Sequence, residues 1–515
     1  MNLTLTIFPQ YRNTTKGKQF SLLAGQIYQH SGRRRNLAGF IGKLLIEKLL
    51  YSCSDLKQIY MFIRAKKGVP PEQRLENLYK NSCFDRLRKE KCGLFHSKIT
   101  VVPGNMIEKD LGMSERDRAF VLENTNIIIH AAATVRFDET LEEALETNLI
   151  GALKLIELAK LIRNLESYVH VSTSFCNLDY ERVIQEKMYP PAADWREIRE
   201  IVYNTDPPAL RVLTPKLLGK FPNAYAFTKN LTEHAVYELR GKLPIVIVRP
   251  SIVTGCLSEP CPGWIDNFNG PVGLITAAAQ GILRTVYADK HATSDYVPAD
   301  IVIKGTLIAA WTRGIKKLHE TDDIPIYNAC VGEEQGTSLA EIYSMGHKVT
   351  PLVAFEYTLR PIFVIYTHSK FIFTVNMLIS HFLLAVVVDT ILRVVGGRPR
   401  LLKVQRRALI ANIALEYFMT RPWCFANDKF VRLASSLRPQ DRSQFHYKME
   451  GVKLIEHLYN AGLVVRRDLL HQDEKSLPKW RKIYRWQTII DRIVSYTLYV
   501  FISWWVLGQL LATTG

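Results

Sequence analysis

The chain predicts an α/β fold organised around a doubly wound parallel sheet. Short apolar runs alternate with longer stretches of helical patterning, as strands and crossover helices do. Each run ends in small, polar or basic residues, the composition of strand ends that meet a ligand. A glycine pair, Gly39-Phe-Ile-Gly42, opens the first helical stretch.

Taken in order, Gly39, Phe40, Ile41 and Gly42 lead into Lys43-Leu-Leu-Ile-Glu-Lys-Leu-Leu50, whose apolar residues recur at helical spacing, so an amphipathic helix is expected there. Gln58-Ile-Tyr-Met-Phe-Ile63 reads as a buried parallel strand and ends in Arg64, with Lys66 and Lys67 beyond. Asn126-Ile-Ile-Ile-His130 ends in Ala131, Ala132 and Ala133, small enough for a ligand to approach closely. Tyr168-Val-His-Val171 ends in Ser172-Thr-Ser174, and Pro244-Ile-Val-Ile-Val248 ends in Arg249-Pro-Ser251. Helix or turn capping is a common fate for residues such as Ser172 to Ser174.

Tyr225 and Lys229 lie four positions apart in Pro222-Asn-Ala-Tyr-Ala-Phe-Thr-Lys229. Residues at that spacing share one face of a helix. A free tyrosine titrates near ~10, and a neighbouring cation favours the phenolate, so the pair suits acid/base work on a carbonyl. The plainer alternative is an exposed lysine beside a packed aromatic.

The sequence has 515 residues and a net charge of +18, enough for one large α/β domain plus a smaller one. Such basicity fits nucleic acid or an anionic membrane surface. There is no zinc-finger spacing or RNA-binding signature, and Arg393, Arg398, Arg400, Lys403, Arg406 and Arg407 cluster beside apolar segments. A membrane surface and ligand phosphates therefore account for the charge, with no nucleic-acid partner. The 8 cysteines are scattered without Cys-x-x-Cys pairs, which fits a reducing compartment and argues against disulfides and metal. The first residues lack the apolar core of a signal peptide.

Ile493 to Leu511 carries no charge. About 19 residues at ~1.5 Å each give ~29 Å, enough to span a bilayer core as a C-terminal transmembrane helix. Lys479, Arg481, Lys482, Arg485 and Arg492 precede it, which leaves the body of the protein cytosolic, and Trp480 and Trp486 suit an interface. A buried core helix is the alternative. A second apolar stretch, Phe371 to Val388, carries Asn376 and His381, with Asp389 close behind. It reads as a membrane-dipping hairpin, a lid over a lipid tunnel, or ordinary core.

The ordered set Gly39 to Lys43, His130 to Glu139, Val169 to Asn177, Tyr225 with Lys229, Val248 to Val253, Glu259 to Asn267 and Asp295 to Pro298 resembles the alcohol-forming fatty acyl-CoA reductases of insect type. These are extended short-chain dehydrogenases. The likeness continues through Val404 to Arg406, Leu415 to Phe418 and Trp423 to Asn427, so it covers about residues 36 to 465. It implies a Rossmann-type reductase domain over 36–345 and a mainly helical C-terminal domain over 346–465; the residues beyond read as a basic linker over 466–492 and the membrane helix over 493–511. It also implies a site. Tyr225 would protonate the substrate oxygen, Lys229 would lower the tyrosine pKa and hold the nicotinamide ribose, and Thr173, or else Ser172, would hydrogen-bond the carbonyl. Gly39, Phe40, Ile41, Gly42, Arg64, Asn105, Ala131, Ala132, Asn148, Lys229, Pro250 and Ile252 would hold the cofactor. Asn148 would help order a relay water, unless it is a plain helix-surface residue, and the loop Pro262 to Pro271 would border the acyl site. No acidic residue ends the strand before Arg64, and a guanidinium suits a 2′-phosphate, so NADPH is expected unless Arg64 is a solvated surface residue. The implied reaction converts a long-chain fatty acyl-CoA to aldehyde and then to primary alcohol, at the cytosolic face of an organelle membrane (endoplasmic reticulum or peroxisome) with membrane lipid as a partner.

The chain departs from this family at its first turn, of the form Thr-Gly-x-x-Gly-Phe-x-Gly. Arg35 and Asn36 stand where the threonine and first glycine belong, so residues 1–35 are atypical. Gln29-His-Ser-Gly-Arg-Arg-Arg35 cannot form a buried central strand, because its charges would be desolvated on both faces. Phe20 to Tyr28 supplies a strand only with a longer turn. Asn105 replaces an aspartate that contacts adenine, although asparagine still accepts a hydrogen bond. A non-catalytic membrane lipid-binding relative with a defective dinucleotide turn is therefore the alternative to the enzyme. A hydroxysteroid dehydrogenase is a third reading, against which the motifs at 415–427 count.

Overall fold

Seven apolar runs become one parallel sheet, and where burial is described the central ones are covered on both faces. Ile245, Val246, Ile247 and Val248 are each no more than 1% exposed. The strands of this computed structural model are β1 (Gln19–Ala24), β2 (Gln58–Ile63), β3 (Ile99–Pro103), β4 (Ile127–Ala131), β5 (Ser167–Val171), β6 (Ile245–Pro250) and β7 (Ile326–Ala329). The structure describes residues 19–24, 39–53, 55–64, 69–178, 180–448 and 451–514. In space the strands run β7-β6-β5-β4-β1-β2-β3, and every neighbouring pair is parallel. The order reverses between β1 and β4, which opens a crevice at their carboxyl ends.

β1 supplies the central strand, in register with β2 at Phe20↔Ile59 and with β4 at Phe20↔Ile127. It begins at Gln19, one residue before the Phe20-to-Tyr28 stretch considered for that role, and stops at Ala24. The turn that follows, including Arg35 and Asn36, lies outside the described residues, as do Lys66 and Lys67.

The chain divides into two compact units that interleave along the sequence. The first takes residues 1–264, 294–336 and 423–452, and the second takes 265–293, 337–422 and 453–515. A single cut at 345 does not separate them, because 423–452 folds with the sheet and 265–293 folds with the helical unit.

In the first unit, helix α1 (Phe40–Ser52) is covered nearly all round. The amphipathic helix expected there is corrected by three charged residues, Lys43, Glu47 and Lys48, that are also buried. Glu47 receives Arg86 at 2.6 and 2.9 Å, while Lys48 donates to Glu259 and to the Gln444 carbonyl, both at 2.6 Å. Such pairing is what burial of these groups requires. Helix α2 (Ala224–Tyr237) and helix α3 (Ala299–Gly314) also pack in this unit, α3 against β5 and β6.

Segment 423–452 is fastened to the sheet unit by hydrogen bonds. Ile184 donates to the Cys424 carbonyl at 3.0 Å and accepts from Ala426 at 3.0 Å, forming a parallel bridge with Phe425. Glu186 accepts the amides of Lys429 at 2.5 Å, Phe430 at 3.0 Å and Asn328 at 3.0 Å, which caps the helix Asp428–Ser435 from a distant loop.

The second unit pairs Thr285–Tyr287 in parallel with Ile365–Thr367 and is otherwise mostly helical. Its long helices are α4 (Lys370–Val394), which contains a π-helical segment at Met377–Leu383, α5 (Leu401–Met419) and α6 (Leu477–Thr514). Among the described residues α4 is the one helix long and apolar enough to cross a membrane. Residues 493–511 continue α6, and the side chains of 498, 499, 502 and 505–511 lie outside the described set. Trp486 is exposed, while Trp480 packs on Tyr357 with ring centroids 5.0 Å apart.

Candidate active site

Helix α2 starts where Asn223 accepts the Ala226 amide at 2.9 Å, an N-cap that places Tyr225 in the first turn and Lys229 one turn later. Facing them is the end of β5. Lys229 is buried, and its Nζ donates to the Val171 carbonyl at 2.7 Å. The Thr173 hydroxyl hydrogen-bonds the Tyr225 phenol and also accepts the Phe175 amide at 3.2 Å. The Phe137 ring, from the loop after β4, lies against the phenol ring with centroids 5.8 Å apart. Strand tip, helix face and loop thus meet around one half-buried phenol.

Burial pushes the Tyr225 phenol above its ordinary value, against the pull of the Thr173 hydrogen bond and with a further push from Cys176. The lowering by Lys229 expected from the four-residue spacing is therefore not what the geometry gives. The ammonium is turned to a main-chain carbonyl, and burial takes Lys229 itself down to about 8.

The two hydroxyls at the end of β5 part company. Thr173 faces the phenol, whereas Ser172 turns inward to Glu233, with its oxygen 3.7 Å from the Cys176 sulfur. Beneath them Arg249 and Glu233, both 0% exposed, form a two-pronged ion pair with contacts at 2.9 and 2.6 Å. Burial raises the Glu233 carboxyl, but the Arg249 charge and hydrogen bonds outweigh it and hold the group below its usual range. The remaining prong of Arg249 donates to the Lys187 carbonyl at 2.9 Å.

Asn148 is buried in a π-helical turn, Glu146–Ile150, and not on a helix surface. Its Oδ1 accepts the Thr134 amide at 2.9 Å and its Nδ2 donates to Thr228 at 3.0 Å. It ties the loop that carries Phe137 to the helix that carries Tyr225. Its main-chain carbonyl accepts the Thr232 hydroxyl at 3.2 Å.

Sequence reasoning missed a pair of histidines. His130 and His170 sit opposite each other on β4 and β5, fully buried, with their Nδ1 atoms 3.1 Å apart. Burial, and then the nearby Lys229 charge, pushes both down, His130 to about 3, so both stay neutral at ordinary pH. The signal was in plain view: each lies at or next to the end of an apolar run, one or two residues before the small residues of its strand tip.

The donor set at the crevice fits a dinucleotide. Gly39 caps α1 without a side-chain hydrogen bond, so the first-turn amides of Phe40, Ile41 and Gly42 point along the axis as they do at phosphate sites. Arg64 follows the end of β2, and Ala131 and Ala132 close β4 with small side chains. Pro250 ends β6, and its carbonyl receives Thr173 at 3.4 Å, while Ile252 begins the next short strand. Asn105 is differently employed. Its Nδ2 donates to Glu108 at 2.6 Å and its Oδ1 receives the Ile107 amide at 3.5 Å, which builds the turn after β3. In the loop expected to border the acyl site, the Trp264 ring is buried, stacks on Phe40 at 5.4 Å and donates to Ser82 at 3.0 Å.

Two family models described as male sterility protein match the chain, an NAD-binding one over residues 37–306 and a second over 380–472. The chain is 37% identical over 449 residues to fatty acyl-CoA reductase 1 of Pongo abelii, covering 86% of this chain and 85% of that protein. It is 34% identical over 469 residues to fatty acyl-CoA reductase 2 of Mus musculus, covering 90% and 89%. Among solved structures, the terminal R domain of the myxalamid biosynthetic pathway aligns with a TM-score of 0.58 at 17% identity, over 90% of this chain and 94% of that one, a likeness of fold.

The ion pair below the site generates a stability prediction. Arg249→Met leaves a buried carboxylate without its partner and should lower unfolding free energy by about 3–5 kcal/mol, whereas Arg249→Met combined with Glu233→Gln should recover most of it. Urea denaturation of the three proteins decides this; equal midpoints for wild type and Arg249→Met would remove the pair from its structural role.

Proposed function

The chain belongs to the fatty acyl-CoA reductases, and from that premise we propose how its own residues carry the reaction. It reduces fatty acyl-CoA to a fatty alcohol. Hydride addition to the thioester carbonyl gives a hemithioacetal, which collapses to aldehyde and the CoA thiol, and a second addition gives the alcohol. A reduced nicotinamide dinucleotide, when bound, would supply the hydride of the first step, and a second molecule of it the hydride of the second. Each addition builds negative charge on one oxygen, so a single set of groups serves twice.

Tyr225 gives that oxygen its proton. A phenol held high by burial keeps its proton until an alkoxide, a stronger base, develops beside it. Thr173 holds the same oxygen, and Ser172, turned to Glu233, takes no part. Lys229 holds the nicotinamide ribose through an ammonium already directed at the strand tip. Asn148 positions the loop and helix around them. The observation that carries this reading is the meeting of Thr173, Tyr225 and Lys229 where β5 ends.

NADPH is the preferred form. Arg64 stands at the end of β2, and no acidic side chain occurs from Gln58 to Arg64 to receive a free ribose hydroxyl. Residues 493–511 anchor the protein with its body on the cytosolic side, since basic residues precede them. Long acyl chains partition into lipid, so an anchored reductase works where its substrate is concentrated.

Tyr225→Phe should lower alcohol formation about 10²-fold or more without moving the thermal midpoint, followed by product analysis and NADPH oxidation; near-normal turnover would remove the acid. The ammonium form of Lys229 is present below its pKa and lost above it. Activity at limiting substrate should therefore fall as pH rises through about 8, and Lys229→Arg should carry that limb upward. A flat profile would sink the role given to the lysine. Arg64→Glu should raise the KM for NADPH far more than that for NADH, and an equal change in both would end the 2′-phosphate assignment.

A further inference from the structure

Helix α4 is built inside out. Its outward side carries Phe371, Val375, Ile379, Leu383, Val386 and Val394, all exposed, with Phe371 77% and Val394 81% open. Two of its polar residues, His381 and Asp389, turn inward, while Lys370, Thr374, Thr390 and Arg393 stay exposed. His381 is buried, its Nδ1 2.9 Å from Gln405 Oε1 and its Nε2 accepting the Arg284 amide at 3.2 Å. Asp389 is buried too, accepting the amides of Arg400, Leu401 and Leu402 at 3.0, 2.9 and 2.9 Å, where it caps α5. Helix α5 buries polar residues too, beneath an outer side that mixes apolar and basic residues. Gln405 and Asn412 are buried and donate to the carbonyls of Ile282 and Thr285, both at 3.0 Å, while Leu402, Ile410 and Ile413 are exposed.

A helix facing water places its polar residues outward. The reverse arrangement, with the inward polar groups partnered, belongs in an apolar medium, where every such group must find its partner inside the protein. Because one side of α4 is taken up by these internal contacts, lipid cannot surround it, and the geometry of a helix lying in one leaflet fits better than that of a span. The charge around the pair selects the lipid. Arg393, Arg398, Arg400, Lys403, Arg406 and Arg407 are exposed, and between residues 370 and 415 the sequence holds a single acid, Asp389, already committed inside.

We propose that α4 and α5 form a membrane-docking hairpin whose apolar side enters the cytosolic leaflet and whose arginines and lysine bind anionic headgroups, independently of residues 493–511. The hairpin sinks about 5–10 Å, the depth typical of interfacial helices. Anionic lipid strengthens docking through the basic rim, and neutral lipid does not.

The test is flotation of the full-length protein with vesicles of phosphatidylcholine alone or with about a third phosphatidylserine. In a chain whose anchor is weakened by Val500→Lys and Trp504→Lys, flotation with anionic vesicles should persist and exceed that with neutral ones about ten-fold or more. Adding Ile379→Glu and Val386→Glu should abolish it, and adding Arg406→Glu and Arg407→Glu instead should erase the preference for anionic lipid, with the thermal midpoint unchanged in both. Loss of all flotation on weakening the anchor alone would overturn the proposal. So would persistence after the glutamate pair, or a glutamate pair that leaves flotation intact but breaks a dimer in sedimentation, which would assign the face to a second copy of the chain.

Discussion

A guanidinium and a carboxylate meet beneath the strand tips, fully withdrawn from solvent. Arg249 on β6 grips Glu233 on α2 at 2.6 Å, and the grip fixes how far the helix stands from the sheet. Burying two such charges is unfavourable unless their geometry and remaining hydrogen bonds are complete. Here the Lys187 carbonyl, the Cys176 sulfur and the Ser172 hydroxyl supply the rest. One helical turn before Glu233 comes Lys229, and one turn earlier Tyr225. The position of the phenol is therefore inherited from an ion pair that never touches substrate.

Desolvation governs the electrostatics of the whole strand-tip region. It lifts the phenol, lowers Lys229 to about 8 and keeps two adjacent histidines uncharged. Neutral histidines beside a lysine matter, because two imidazolium ions at that place would repel the ammonium that the site retains. A close Tyr–Lys couple is the picture that spacing alone suggests. The structure instead gives a phenol kept protonated by its surroundings and a cation held by a main-chain carbonyl.

Much of this was legible in the sequence. The apolar runs at 58–63, 126–130, 168–171 and 244–248 became strands because buried parallel strands need continuous apolar residues, and their small or basic ends fell at the crevice. Tyr225, Lys229 and Thr173 were readable from spacing and motif order. The full burial of α1 was not, since its cover comes from Glu259, Trp264 and Gln444, more than two hundred residues away in sequence. The turn-building role of Asn105 was not legible either, because it rests on Glu108, three residues on, which captures its amide. The histidine pair and the π-helical seat of Asn148 depend on register between elements, which no local pattern encodes.

The clasp made by Glu186 has an implication for dissecting this molecule. Its carboxyl, raised by burial to about 7 despite three amide donors, holds a helix that begins at Asp428, and Phe430 of that helix packs directly over Gly305 of α3. A fragment ended after residue 336 would strip a hydrophobic lid from α3 and strand a desolvated acid. To isolate the sheet unit, an engineer would have to remove 265–293, 337–422 and 453–515 and rejoin what is left, and could not simply stop the chain early.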